Sequence, residues 1–169
     1  MRFEVKVSNV DETLAPGEEA EHAATRLAYA KAAAIARLDP RPVLAADTLV
    51  VCEGRILGKP VSAADAADML RLLSGRAHDV VTGVCLLSVG VPRIAVARTT
   101  VRFAAMSEAE IAWYLATEES LDKAGAYHVD GRGALFVTGI SGSPSNVAGL
   151  PVRTVLELAR EAGLDLGLS

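Results

Sequence analysis

Apolar and polar residues alternate from Phe3 to Ser8, with Phe3, Val5 and Val7 on one side and Glu4, Lys6 and Ser8 on the other. A period of two marks a half-buried strand, so the chain is expected to open in a sheet. Between residues 17 and 38 the period becomes helical: Leu27, Ala30, Ala34 and Leu38 share a face, and Pro40 lies beyond the end. Residues 43–46 form a short apolar run consistent with a buried strand, and residues 48–52 and 55–57, joined by Glu53-Gly54, read as a hairpin. Ser62 with Asp65 makes a capping box for a helix through Ala66, Met69, Leu70 and Leu73 that closes at Gly75. Residues 80–89 and 93–103 are β-rich and joined by Gly90-Val91-Pro92, as in a long antiparallel pair. A second capping box, Ser107 with Glu110, precedes a short helix through Ile111, Trp113, Tyr114 and Leu115. From residue 121 to 151 the chain is crowded with Gly, Ser, Asp and Asn around one strand at 134–140, and residues 151–162 close as an amphipathic helix.

Composition narrows the class. With 169 residues, 51% of them apolar, the chain suits one globular domain with a real core, residues 1–169. A net charge of −4 provides no basic field for a nucleic-acid backbone, so no nucleic-acid partner is expected. No apolar run reaches the roughly 20 residues of a membrane span, and the first residues do not resemble a signal peptide; a cytoplasmic protein without a membrane partner is expected. Cys52 and Cys85 form no close-spaced pair and read as small core residues.

Candidate chemistry starts at Ala45-Ala46-Asp47-Thr48, where an acidic residue follows an apolar strand at its carboxyl end, a place where ligand sites collect in α/β sheets. A carboxylate there can hold a divalent cation, act as a base, or make a local turn bond. Past the hairpin, Gly58 permits close backbone approach and Lys59 projects from a turn stiffened by Pro60, either toward a phosphate or into water. Glu12 follows the first strand. Lys31 sits in an otherwise apolar stretch of the long helix, so its amine must snorkel outward or meet an anion. In the third group Asp122, Lys123 and Asp130 offer opposite charges among small residues, and Tyr127 is either a stacking platform for a base or a core ring.

AADTLV, then ILGKP, DKAGAY and GSPSNVAGLP, in this order over nearly the whole chain, resemble the motifs of the Maf nucleotide pyrophosphatases. The resemblance implies an α/β fold of the inosine triphosphatase type: a bent mixed central sheet flanked by helices, with a nucleotide cleft between two lobes. It implies hydrolysis of a nucleoside triphosphate to the monophosphate and pyrophosphate with a divalent metal, Mg²⁺ or Mn²⁺, to remove non-standard or surplus nucleotides. Asp47 matches the family's proton acceptor and Thr48 a position tied to base specificity. Glu12, Lys31, Lys59 and Asp122 match polar residues of the cleft. The roles that follow are Asp47 as base, Glu12, Asp47 and Asp122 as metal carboxylates, and Lys31 and Lys59 as cations along the triphosphate. Lys123, Tyr127 and Asp130 complete the substrate-binding set, and a homodimer is a further expectation.

Two departures shape the reading. The family opens with a strand and an SxSPRR phosphate loop that this sequence does not contain, so the domain is expected to lack its first strand and half of the phosphate grip. Members that prefer dTTP and UTP carry Gln where this chain has Asp130, and an ionised Asp only accepts hydrogen bonds, as suits a guanine-like base. The 7-methyl-GTP branch carries an acidic residue there. Thr48 follows the pyrimidine branch. dTTP and UTP are the favoured substrates; 7-methyl-GTP or another modified nucleotide, or a non-catalytic nucleotide-binding regulator of cell division, are the alternatives.

Overall fold

The computed structural model describes residues 3–167. Helix α1 (Ala20–Ala36) is followed by strands β1 (Val43–Cys52) and β2 (Arg55–Leu57), helix α2 (Ala63–Leu73), strands β3 (Ala77–Ser88) and β4 (Val91–Phe103), and helix α3 (Glu108–Leu115). Strand β5 (Val137–Ser141), the single-turn helix α4 (Pro144–Val147) and helix α5 (Val152–Glu161) complete the order. The strands form one five-stranded sheet in the order β2-β1-β3-β4-β5, and the β1–β2 and β4–β5 ladders are antiparallel. Helices flank this sheet, the α/β architecture expected from the sequence.

The chain forms two compact units. The first contains Met1–Asp47, Thr82–Ala97 and Gly149–Ser169; the second contains Thr48–Val81 and Arg98–Ala148. In the first, Ala28 and Ala32 of α1 pack with Cys85, beside Val43, Ala45 and Leu87. Val84 and Leu86 pack with Leu158 and Ala159 of α5. Alternate residues of β3 thus serve two helices, which is why this central strand is apolar on both faces. Gly83 sets how closely α1 approaches: a Cβ there would lie 2.3 Å from the Ala24 carbonyl carbon and oxygen. In the second unit the core gathers Val50, Leu57, Leu70, Leu73, Val101 and Phe103 around Tyr114, Tyr127 and Phe136.

Several boundaries differ from the sequence pattern. Residues 3–7 form no strand; Phe3, Val5 and Val7 are about four-fifths exposed, while Glu4 and Lys6 pair with Arg41 and Asp39. Alternation assigns sides, but a strand also needs a ladder partner. Helix α1 buries Ala20, Ala23, Ala24, Leu27, Ala28 and Ala32, a face rotated from the predicted one, and Leu38 lies beyond the helix, 81% exposed. The predicted run at 43–46 and the first hairpin strand are one continuous strand, β1. Residues 132–136 form a 3₁₀ turn ahead of the shorter β5. Hairpin β3–β4 turns at Val89 and Gly90, both at positive φ (50° and 74°), the two-residue geometry whose twist matches the strands. The capping box at α3 closes fully, Ser107 Oγ accepting from Glu110 N and Glu110 accepting from Ser107 N. At α2, Ser62 caps Asp65 N, but Asp65 accepts from Val61 N.

Candidate functional site

Small side chains on α1 and the bare Cα of Gly83 let the helix lie close to its sheet, and Lys31 of that helix reaches Asp47 of β1 as a result. Lys31 Nζ donates to Asp47 Oδ1 at 2.6 Å and pairs with Glu12 Oε1 at 2.7 Å. Asp47 is buried, the Lys31 side chain is 18% exposed, and the Glu12 side chain is more open at 43%. Burial by itself pulls the Lys31 amine down; hydrogen bonds to Asp47 and Glu12 outweigh it, so the group is held above its ordinary value and stays an ammonium. Three residues singled out in the sequence therefore meet in the first unit.

The loop carrying Glu12 is pinned from both sides. Thr13 donates its N–H and hydroxyl to Asp11 Oδ1 at 2.9 and 2.6 Å, a local turn that orients Glu12 between them. Arg26 of α1 forks onto both Glu18 oxygens at 2.8 Å and donates to the Thr13 carbonyl. The Arg26 guanidinium holds the Glu18 carboxyl down to about 2. Sequence reasoning missed this clamp, because Glu18 precedes the helix and its eight-residue spacing from Arg26 is neither the i,i+3 nor the i,i+4 spacing of a helical ion pair.

The second unit holds the other candidates. The Gly125 N–H donates to the Gly58 carbonyl at 3.0 Å, which ties the DKAGAY loop to the ILGKP loop. Gly125 sits at φ 69°, and a Cβ there would lie 3.0 Å from Val50 of β1, so this junction calls for glycine. Lys59 follows Gly58 and is exposed; Lys123 is half-buried, and Thr48 begins this unit. Asp122 pairs with Lys123 at 2.5 Å, and that hydrogen bond lowers its carboxyl below the usual range. Asp130 is exposed. Tyr127 is a core ring: it packs edge-on against His78 and Phe103 and is 5% exposed, so its faces are closed to a base. Its hydroxyl lies 2.9 Å from His78 Nε2.

The GSPSN segment acts as a latch. The Ser143 N–H donates to Thr99 Oγ1 at 3.1 Å, and Asn146 Nδ2 donates to the same oxygen and to the Val80 carbonyl, each at 3.0 Å. Cys52 and Cys85 are buried. An open concavity of about 310 Å³, lined by Glu53, Asp79 and Thr100 among others, contains none of the candidate catalytic, metal or substrate-binding residues.

Of the carboxylates read from the sequence as metal ligands, Glu12 and Asp47 lie in the first unit and Asp122 in the second. Among the described residues no group of three His, Cys, Asp or Glu side chains is placed to hold a metal ion, and the exposed Asp122 pairs with Lys123. Glu12 and Asp47 do face one cation, and hard oxygen donors suit Mg²⁺, which is commonly held by one or two carboxylates plus substrate phosphates and water. The donor set therefore fits a divalent ion completed by its ligand. Among the described residues no helix is long and apolar enough to cross a membrane.

The chain is 50% identical over 168 residues to a dTTP/UTP pyrophosphatase of Anaeromyxobacter sp. (strain Fw109-5), covering 96% of this chain and 80% of that protein. It is 47% identical to a dTTP/UTP pyrophosphatase of Myxococcus xanthus (strain DK1622), covering 98% and 85%. For a dTTP/UTP pyrophosphatase of Moorella thermoacetica (strain ATCC 39073 / JCM 9320), the identity is 48% and the coverage 97% and 86%. The Maf-like protein family model matches residues 1–162, taking in the ion-paired cluster, both glycine-linked loops and the latch, and the chain belongs to that family.

Proposed function

We propose that this chain hydrolyses dTTP and UTP to the nucleoside monophosphate and pyrophosphate, using Mg²⁺ or Mn²⁺, and so clears surplus or non-standard nucleotides. The observation that carries the reading is the buried Asp47 paired with Lys31 beside Glu12, in a chain similar to relatives named dTTP/UTP pyrophosphatases. Water adds to the α-phosphorus, the bond from that phosphorus to the bridging oxygen breaks, and pyrophosphate leaves. Asp47 takes the proton of the attacking water, and Glu12 and Asp47 would hold the metal. When bound, the metal supplies Lewis-acid stabilisation of the charge developing on the phosphate oxygens. Lys31 adds a cation near that charge, and Lys59 and Lys123 remain phosphate-binding candidates. Thr48 and Asp130 are assigned to the base. A cytoplasmic location and a homodimer are part of this reading.

Asp130 supports a second specificity. Its exposed carboxylate accepts and never donates when ionised, so it matches a base edge with adjacent donors, such as the N1–H and N2 amine of a guanine-type nucleotide. Pyrophosphate release from dTTP, UTP, CTP, GTP and 7-methyl-GTP, with Mg²⁺ or Mn²⁺ and beside Asp47→Asn, tests both. The expected result is release from dTTP and UTP that falls at least about 100-fold in the variant, the range for loss of a positioned base. Preference for 7-methyl-GTP would establish the second specificity. Release from no nucleotide, or full activity in Asp47→Asn, would overturn the reading.

A further inference from the structure

Lys31 occupies the place that a divalent cation needs. Its ammonium touches Asp47 Oδ1 and Glu12 Oε1 at 2.6 and 2.7 Å, so the same two oxygens that would ligate a metal already share one positive charge. A dication bound to these oxygens at about 2.1 Å and an ammonium hydrogen-bonded to them would be like charges within a few ångströms of each other. Asp47 is buried, and a buried carboxylate left without a partner is costly, so the metal-free protein needs a resident counter-ion at this point. A lysine meets that need and can also leave: its charge rides on a flexible four-carbon stem, and its side chain keeps a path to water. This accounts for a lone cation in a stretch of α1 made almost wholly of apolar residues.

We propose that Lys31 is an exchangeable counter-ion: a divalent metal entering at Glu12 and Asp47 displaces the ammonium, which then becomes available to an anion such as a phosphate oxygen. The proposal rests on the reading of Glu12 and Asp47 as metal ligands. It adds that metal and Lys31 compete for them, so the buried Asp47 carboxylate stays paired whether or not metal is present. Arginine would serve less well, because its planar fork would grip a carboxylate in bidentate fashion and release it less readily.

The test is Mn²⁺ binding to the whole chain without nucleotide, read from the electron paramagnetic resonance signal of free Mn²⁺. The native protein is compared with Lys31→Met, Lys31→Gln and Asp47→Asn. Competition predicts that both neutral Lys31 variants bind Mn²⁺ about tenfold more tightly than the native chain, within the usual range of coupling between two ligands, and that Asp47→Asn binds it more weakly. On the native ¹⁵N-labelled protein, Mg²⁺ should shift the Lys31 side-chain Nζ resonance, a readout that needs no substitution. Equal or weaker Mn²⁺ affinity in the Lys31 variants, affinity untouched by Asp47→Asn, no Mn²⁺ binding by any of the chains, or a Lys31 signal indifferent to Mg²⁺ would each overturn the proposal. Neither readout involves hydrolysis. Competition without pyrophosphate release would sink the proposed activity alone, and release without competition would sink this proposal alone.

Discussion

Replacing Gly83 by alanine places a methyl group 2.3 Å from the Ala24 carbonyl carbon and oxygen, atoms of the α1 backbone that no rotamer change can move aside. Ordinary contact needs about 3.5 Å, so α1 must retreat from β3 by roughly 1 Å or the strand must bend. Lys31 rides on that helix, and its 2.6 Å bond to Asp47 would open beyond the 2.7–3.2 Å range of a good hydrogen bond if the retreat lies along it. Overpacking of this kind costs about 1–3 kcal/mol, and in a chain of this length each kcal/mol lowers the melting temperature by about 2–4 °C. Thermal unfolding followed by circular dichroism should show Gly83→Ala melting about 2–12 °C below the native protein, with pyrophosphate release reduced in parallel. Gly139→Ala in β5 is the control: a Cβ there meets nothing within 4 Å, so its melting temperature should stay within about 2 °C of native. A Gly83→Ala protein with native stability and activity would refute the claim that helix-to-strand distance sets the Lys31–Asp47 contact.

Two further outcomes follow from the second unit. Burial pushes the His78 imidazole down to about 4 from 6.5, so the folded state favours its neutral form; its stabilising share is complete above pH 6.5 and is lost as pH falls toward 4. That loss is about 2 kcal/mol at pH 5, so urea midpoints at pH 7.5 and 5 should differ more in the native chain than in His78→Gln, and equal differences would sink the argument. Asn146→Ala removes two buried hydrogen bonds, to the Val80 carbonyl and to Thr99 Oγ1, and should cost about 1–3 kcal/mol in the same assay; a loss below about 0.5 kcal/mol would mean the latch holds without it.

Much of the fold was legible in the chain itself. Local chemistry placed α2 and α3, whose Ser caps bond to backbone N–H groups three residues on, and the Glu53-Gly54 and Gly90 turns, where backbone at positive φ suits a two-residue hairpin. The four motifs identified the family, and of the charged residues singled out in the sequence, Glu12 and Asp47 proved to meet at Lys31. Tertiary structure decided the rest. Phe3, Val5 and Val7 alternate as a strand does yet have no ladder, because pairing depends on a partner that alternation does not specify. Tyr127 carries the composition of a loop and the burial of a core ring, since His78 and Phe103 come to it from distant strands. Asp122 was read with the metal carboxylates, and its pairing with the adjacent Lys123 is a contact that the motif alone does not specify. Residue types and spacing state which charges a chain can offer; which charge meets which depends on packing distances, and here the bare Cα of Gly83 lets one lysine lie between two carboxylates drawn from separate parts of the chain.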